Sequence, residues 1–286
     1  MTRVLVLGPS GMLGRALVSL LRTRHVDVIT GGRGQNMDYY FDAEVASPAD
    51  LLSNLQPGDF VVNAIGLITH RIDESKPEHV RKAFQINAVF PKSLADIAAR
   101  LDLKVIQIAT DCVFDGSRGN YDEASPHDAS DTYGLSKSEG EVSSPSMMHI
   151  RCSIVGPESG RNLSLFEWVR SQDRDATLTG YSDHLWNGVT TYAFSRVVEG
   201  IIRNNLFTPG VHHLVPSDKT SKADLIRMMA RRAGRDDLTV FNRATGFPID
   251  RTLATNDEEF NSNLWSSAGY SHIPSIAELI EEMPIN

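Results

Sequence analysis

The stretch that most constrains this chain is its first turn. Val4 to Leu7 form a short apolar run of the kind buried as a strand, and GPSGMLG follows at once, before Arg15 to Arg24, which reads as a helix. Gly8, Gly11 and Gly14 therefore occupy a strand-to-helix turn. Glycine there permits tight backbone geometry and lets an anionic group approach the amides of the helix N-terminus. The spacing is GxxGxxG, one residue longer at its start than the common dinucleotide fingerprint. Ser10, Met12 and Leu13 stand between these glycines and join them as expected cofactor contacts.

The elements that follow alternate. Val26 to Thr30 reads as a second strand ending in Gly31 and Gly32, and Pro48 to Leu55 as a helix. Phe60 to Ile65 is the next strand, after the turn Pro57-Gly58-Asp59. A long helix is expected over Glu78 to Arg100, with Pro91 as its kink point, and then a strand over Val105 to Ala109. This order predicts an α/β fold, a Rossmann-type doubly wound parallel sheet covered on both faces. Right-handed crossovers then bring the strand C-termini to one edge, where ligands bind. After the strand-like run His149 to Val155 the pattern changes. Asn162 to Gln172 reads as a helix, and Ala176 to Asp183 as a short strand and turn. Thr191 to Asn204 is a helix returning to the main sheet, followed by the strand Val211 to Val215. From Ser221 onward a small helical lobe with irregular connections is expected. The division expected is 1–155 plus about 189–215 for a dinucleotide-binding domain, and about 156–188 plus 216–286 for a smaller C-terminal substrate-binding lobe. The substrate cleft is expected between them.

Bulk composition narrows the functional classes. With 286 residues, 41% hydrophobic and 22% charged, the chain has the composition of an ordinary globular protein. A net charge of -8 disfavours nucleic acid as a partner. Cys112 and Cys152 lack metal-ligand spacing, so no metal site and no disulfide framework are expected and a reducing cytoplasm is the default. No apolar run is long enough to span a bilayer, and MTRVLVLG enters a strand with no signal-peptide pattern, so no membrane partner is expected.

The chemistry is carried by Thr110 in ATDCVFDG and by Tyr133 and Lys137 in YGLSK. Thr110 follows a strand at the ligand edge, and its hydroxyl can donate to a carbonyl oxygen. A tyrosine that exchanges a proton near neutral pH needs a nearby cation, and a lysine four residues later on a helix lies on the same face. Lowering a phenol by about three units corresponds to roughly 4 kcal/mol, which one ammonium in a partly desolvated site can supply. With the glycine turn, these residues point to hydride and proton transfer at a carbonyl. At the end of the second strand, Thr30-Gly31-Gly32-Arg33 has no acid for the ribose hydroxyls of NAD. Arg33 can pair with a 2′-phosphate, which favours NADP with NAD as the alternative, or it can be a solvated surface arginine. Asp42 in YYFDAE can accept from an adenine amino group or be an ordinary loop aspartate.

These pieces resemble a known family. GPSGMLG, VVNAIG, ATDCVFDG, YGLSKSEGE and IRCSIVGPE, in order over roughly the first 155 residues, resemble an extended short-chain dehydrogenase/reductase, closest to the dTDP-4-dehydrorhamnose reductase group. The resemblance implies that Thr110, Tyr133 and Lys137 are the catalytic group, with Lys137 also holding the nicotinamide ribose. It implies that Ala64, Ile65 and Gly66 contact the cofactor, that Ile154 lies near the nicotinamide, and that Asn87 is structural. The activity it implies is NADPH-dependent reduction of a 4-keto-6-deoxy sugar nucleotide in polysaccharide biosynthesis, with a homodimer allowed.

The chain departs from this pattern at Cys112, where the reductases usually carry an aromatic residue. Neighbouring GDP-fucose synthases use a cysteine at that spacing for epimerisation, with a histidine that GPESGRNLSLFEW lacks, so a buried, inert Cys112 is favoured. On the substrate side, Trp186 in DHLWNGVTT can stack on a sugar or base, or anchor the lobe, and Asn187 can bond a hydroxyl. The resemblance implies that Asn162 grips the nucleotide diphosphate; Arg251 can neutralise the same diphosphate or be a surface arginine, and His70 in GLITHR, a loop bordering the cleft, can touch substrate or be simply solvated. Two other readings remain beside the reductase: an epimerase using Cys112, and a non-catalytic subunit that keeps the cofactor site, like the regulatory subunit of methionine adenosyltransferase.

Overall fold

Alternation along β1 (Arg3–Leu7) decides how the chain folds. Val4 and Val6 enter one apolar core and Leu5 and Leu7 another, because successive strand side chains face opposite sides of a sheet. A strand buried on both faces requires cover on both. The computed structural model, which describes residues 3–158 and 164–285, supplies it. The elements run α1 (Met12–Thr23), β2 (Asp27–Gly32), β3 (Tyr39–Tyr40), α2 (Ala49–Leu52), β4 (Phe60–Asn63), α3 (Pro77–Phe84), α4 (Phe90–Arg100), β5 (Lys104–Ala109), α5 (Thr132–Glu139) and β6 (Met147–Arg151). They continue with β7 (Ile154–Val155), α6 (Leu165–Arg170), β8 (Thr177–Tyr181), β9 (His184–Trp186), β10 (Val189–Thr190), α7 (Thr191–Asn204) and β11 (Gly210–His213).

Seven strands form one sheet in the order β11-β6-β5-β4-β1-β2-β3, with every pairing parallel. On one face Val4, Val6, Phe60, Val62, Ile106, Met148 and Ile150 share a core with residues of α1 and α7. On the other, Leu5, Leu7, Val61, Val105 and Met147 pack with α2 and α4. This is the doubly wound sheet expected from the alternation of strands and helices. Its strand order reverses beside β1, where β2 and β4 run to opposite sides, and a ligand crevice forms outside the strand C-termini at such a point.

The helix expected over Glu78 to Arg100 is interrupted earlier than its proline. Gln85–Val89 form a π-turn between α3 and α4, while Pro91 sits in the first turn of α4, where its missing N–H costs nothing. The π-turn carries Asn87, 2% exposed, whose carbonyl accepts from the Leu67 amide at 2.8 Å. Its amide donates to the Leu67 carbonyl at 2.9 Å and to the Ser136 hydroxyl at 3.0 Å. One buried side chain thus ties α5 to the loop after β4.

The last third contains strands that the sequence did not announce. After β12 (Thr220–Ser221) and α8 (Lys222–Arg232) come β13 (Thr239–Arg243) and β14 (Ile249–Asp250), then α9 (Glu258–Ser267) and α10 (Ile276–Glu281). β13 pairs parallel with β8, and β12 and β14 flank β9. Thr239, Asn242 and Arg243 are exposed, so β13 has no continuous apolar run to betray it. Phe166, Val169, Leu178, Leu225, Met229, Ile276 and Ile280 form a separate core for this region. Helix α9 lies within the 216–286 stretch assigned to the lobe, yet its Leu264 and Trp265 pack in the sheet's core with α7.

The first turn is as tight as its glycines require. Gly8 has φ +77°, and a Cβ on Gly14 would lie 2.1 Å from the Gly8 carbonyl oxygen. That oxygen is backbone and cannot swing aside. Gly14→Ala should therefore destabilise the fold by on the order of 2 kcal/mol or more, read as a lowered midpoint in urea unfolding.

Candidate active site

At the C-terminal edge of the sheet lies a cleft of about 480 Å³. Gly11, Met12 and Leu13 line it together with Ala64, Ile65 and Gly66 and with Thr110, Tyr133 and Lys137. Ile154, Cys112 and Trp186 also face it. Twelve residues of the sequence reading, from six separate segments, thus converge on one space. A second cavity of about 500 Å³ between α1 and α7 contains none of the Thr110, Tyr133 and Lys137 group.

Each catalytic candidate is held by local structure. Thr110 caps the short turn Asp111–Val113 that follows β5, its hydroxyl accepting from the Cys112 amide at 3.2 Å and donating to Asp111 Oδ1 at 3.2 Å. The N-terminus of α5 is fixed by Asp131, which accepts from the Gly134 amide at 2.9 Å, and by Glu74, which accepts from the Thr132 amide at 2.6 Å. Carboxylates at that end also oppose the helix dipole favourably. One turn further, the Lys137 ammonium donates to the Ile108 carbonyl at 2.7 Å. Across the sheet, the Asn63 amide donates to Gln107 Oε1 at 2.8 Å while its carbonyl accepts from the Ile65 amide at 3.1 Å, orienting the loop 64–66.

Burial dominates the electrostatics of Tyr133 and Lys137. Burial pushes the Tyr133 phenol well above its ordinary value of 10.0, with Cys112 and Asp111 adding to the rise and the nearby Thr110 hydroxyl opposing it. The Lys137 ammonium is turned to Ile108 and is itself desolvated, which draws it from an ordinary 10.5 down to about 8. In the chain alone, Tyr133 is a neutral phenol at pH 7, a proton donor rather than a phenolate.

The remaining residues divide. Cys112, expected to be buried, is half-buried and lines the cleft, and desolvation with Asp111 beside it pushes its thiol up to about 12, so it is no base at neutral pH. Asn187 uses both ends of its amide on Leu253, donating to the carbonyl at 2.7 Å and accepting from the amide at 2.9 Å, which makes it a tie between segments rather than an open donor. Arg251 stays outside the cleft lining and donates to the Phe114 carbonyl at 2.8 Å, while its charge reaches Asp111 and Cys112. Arg33 and Asp42 approach each other at 3.9 Å beyond the cleft, with the Arg33 side chain 59% exposed. Ser10 is exposed, and Gly8 and Gly14 shape the turn from beneath. Trp186 is only 4% exposed, combining the anchor with a cleft-facing edge. His70 reaches the cleft rim, and Asn162 lies outside the described residues. Among the lining residues that were missed are Asp111, which stands inside the quoted motif, and Lys222, at the start of α8, for which the sequence offers no signal.

With the geometry in place, the comparisons are specific. The family model described as RmlD substrate binding domain matches residues 1–265. The chain belongs to this family, the dTDP-4-dehydrorhamnose-reductase-like sugar-nucleotide reductases. A dTDP-4-dehydrorhamnose reductase of Sinorhizobium fredii (strain NBRC 101917 / NGR234) is 30% identical over 77% of this chain and 75% of its own length. A dTDP-4-keto-6-deoxy-D-glucose reductase of Streptomyces niveus is 25% identical over 95% of this chain and 92% of its own. The fold is shared with the dTDP-4-dehydrorhamnose reductase of Bacillus anthracis str. Ames solved in complex with NADP, at a TM-score of 0.79, 19% identity and 99% coverage of both chains.

The residues present fit a dinucleotide. At the glycine turn an added Cβ would meet backbone at Gly8 and Gly14, so the space above the α1 N-terminus is left to the amides. No side chain caps those amides, since Gly11 is the N-cap. The buried Lys137 ammonium, lowered by roughly two to three units, costs the fold about 3 kcal/mol at neutral pH. The penalty is full below pH 8 and disappears as pH rises to 10.5, where the unfolded chain also loses the proton. Lys137→Met should therefore raise the melting temperature at pH 7, and its advantage should shrink in melts run between pH 8 and 10.5.

Proposed function

We propose that this chain reduces the ketone of a 4-keto-6-deoxy sugar nucleotide, with NADPH as cofactor and Tyr133 as the acid. It is an NAD(P)-dependent oxidoreductase of the short-chain dehydrogenase/reductase class. The observation that carries the reading is the convergence of Thr110, Tyr133 and Lys137 in the cleft that the glycine turn also lines. Gly11 to Leu13 would take the pyrophosphate, Ala64 to Gly66 the face of the cofactor, and Lys137 the nicotinamide ribose. When bound, the dinucleotide supplies the hydride.

The chain's own residues handle the oxygen. Thr110 turns its hydroxyl from Asp111 to the ketone oxygen and orients it. Tyr133 gives its proton to that oxygen as charge develops there. A phenol held above its ordinary value keeps its proton through neutral pH, which suits reduction. The names of the Sinorhizobium and Streptomyces relatives support a keto sugar linked to dTDP. A Cys112 thiol pushed up to about 12 weighs against epimerisation.

Tyr133→Phe should keep NADPH affinity within a few-fold and lower kcat by roughly 10²- to 10⁴-fold, measured by fluorescence titration and single-turnover cofactor oxidation. Turnover within a few-fold of wild type would reject the acid role. Arg33→Ala tests the cofactor choice. Loss of a 2′-phosphate partner should weaken NADPH by about tenfold and leave NADH nearly unchanged in parallel titrations.

A further inference from the structure

The cleft has one wall that the reductase chemistry leaves without a task. Lys222, the first residue of α8, lines it together with Asp111 and Trp186. The ammonium stands over the Trp186 ring, 5.7 Å from its centroid. Among the described residues it makes no ion pair within 4.0 Å, although Asp111 is the foremost charge that faces it. Asp111 spends Oδ1 on the Thr110 hydroxyl at 3.2 Å and the Cys112 thiol at 3.8 Å, and Oδ2 accepts no hydrogen bond among the described residues. The indole N–H of Trp186 is buried with no acceptor. A donor and an acceptor therefore stand in the same wall of the cleft, more than 4.0 Å apart and without direct contact.

One kind of group completes such an arrangement. A carboxylate between them would meet Asp111 as a like charge, and an ammonium would meet Lys222. A hydroxyl accepts from the ammonium and donates to the carboxylate at once. Asp111 is bonded to the Thr110 hydroxyl, so the hydroxyl it meets is on a carbon next to the ketone that Thr110 orients. In a 4-keto-6-deoxy pyranose the neighbours of the ketone are C3, which bears a hydroxyl, and C5, which bears a methyl and the ring oxygen.

We propose that Lys222 and Asp111 form a specificity subsite for the C3 hydroxyl of the keto sugar, an inference that rests on the substrate class proposed above. Burial pushes the Asp111 carboxyl up, while Lys222 and Arg251 draw it back down, so the carboxylate needed as acceptor depends on these cations.

The test uses the full chain with a 4-keto-6-deoxy sugar nucleotide and its 3-deoxy analogue for turnover. The corresponding 4-hydroxy sugar nucleotides, with NADP⁺ present, serve for calorimetric binding. Wild type should prefer the 3-hydroxyl compound by roughly tenfold to a hundredfold, because the analogue leaves a buried charge unpaired. Lys222→Met should cut that preference to about twofold by weakening the hydroxyl compound alone, with cofactor affinity unchanged as the check on folding. Lys222→Arg should restore most of it. A wild type indifferent to the hydroxyl, or a Lys222→Met that keeps the full preference, would overturn the subsite. Preference in binding with no turnover of either ketone would leave the subsite standing and reject the reductase reading. No binding of either sugar nucleotide would reject both.

Discussion

One hydrogen bond joins the two elements on which the cleft depends. The Lys137 ammonium donates to the Ile108 carbonyl at 2.7 Å, and so ties α5 to β5 just before the strand delivers Thr110. Tyr133 lies one helical turn before Lys137 on the same face, so holding one positions the other. The bond is charge-assisted in a desolvated place, which makes it strong, and the same desolvation draws the ammonium down to about 8. Position is thus obtained at the expense of stability, as is common where a polar group is buried for function.

That bond would not hold alone. Asn87 spans from the π-turn to Leu67 and Ser136, so the loop along one side of the cleft and the helix along the other share a single buried anchor. Asn63 does the same work through Gln107 and Ile65, setting the next stretch of that loop from the strand side. Buried amides with their hydrogen bonds satisfied rigidify what they connect, whereas a half-satisfied one would cost more than an apolar residue. The π-turn is what makes the first anchor reachable. Without its extra residue, a regular helix from Pro77 to Arg100 would present a different side chain toward Leu67.

Local pattern carried the sheet and the catalytic helix. The apolar run of β1, the glycines after it and the four-residue spacing of Tyr133 and Lys137 are all contained in short windows of sequence, and the physics behind them is local. The features that escaped depend on distant partners. Nothing near Asn187 reveals that Leu253 will occupy both ends of its amide. Lys222 opens an otherwise ordinary amphipathic helix, and only the fold brings it to Asp111. β13 was invisible because it pairs at the edge of a small sheet, where alternation is only half enforced by burial. Spacing puts the Lys137 ammonium on the phenol's face of the helix, and only the fold shows that it also donates to Ile108, whose carbonyl is positioned by β5.

Burial acts in one direction on five titratable groups of this cleft. It raises Tyr133, Cys112 and Asp111 and lowers Lys137 and Lys222, each toward its neutral form. A space that disfavours charge also disfavours the alkoxide that forms as hydride reaches a ketone, unless a proton arrives with it. Tyr133, neutral and hydrogen-bearing, would deliver that proton in the same movement, so that the negative charge passes to its own phenolate oxygen instead of staying on the sugar. In the opposite direction a phenol raised in this way must first be stripped of its proton, against the same burial. The raised phenol thus agrees with the acid role proposed for Tyr133.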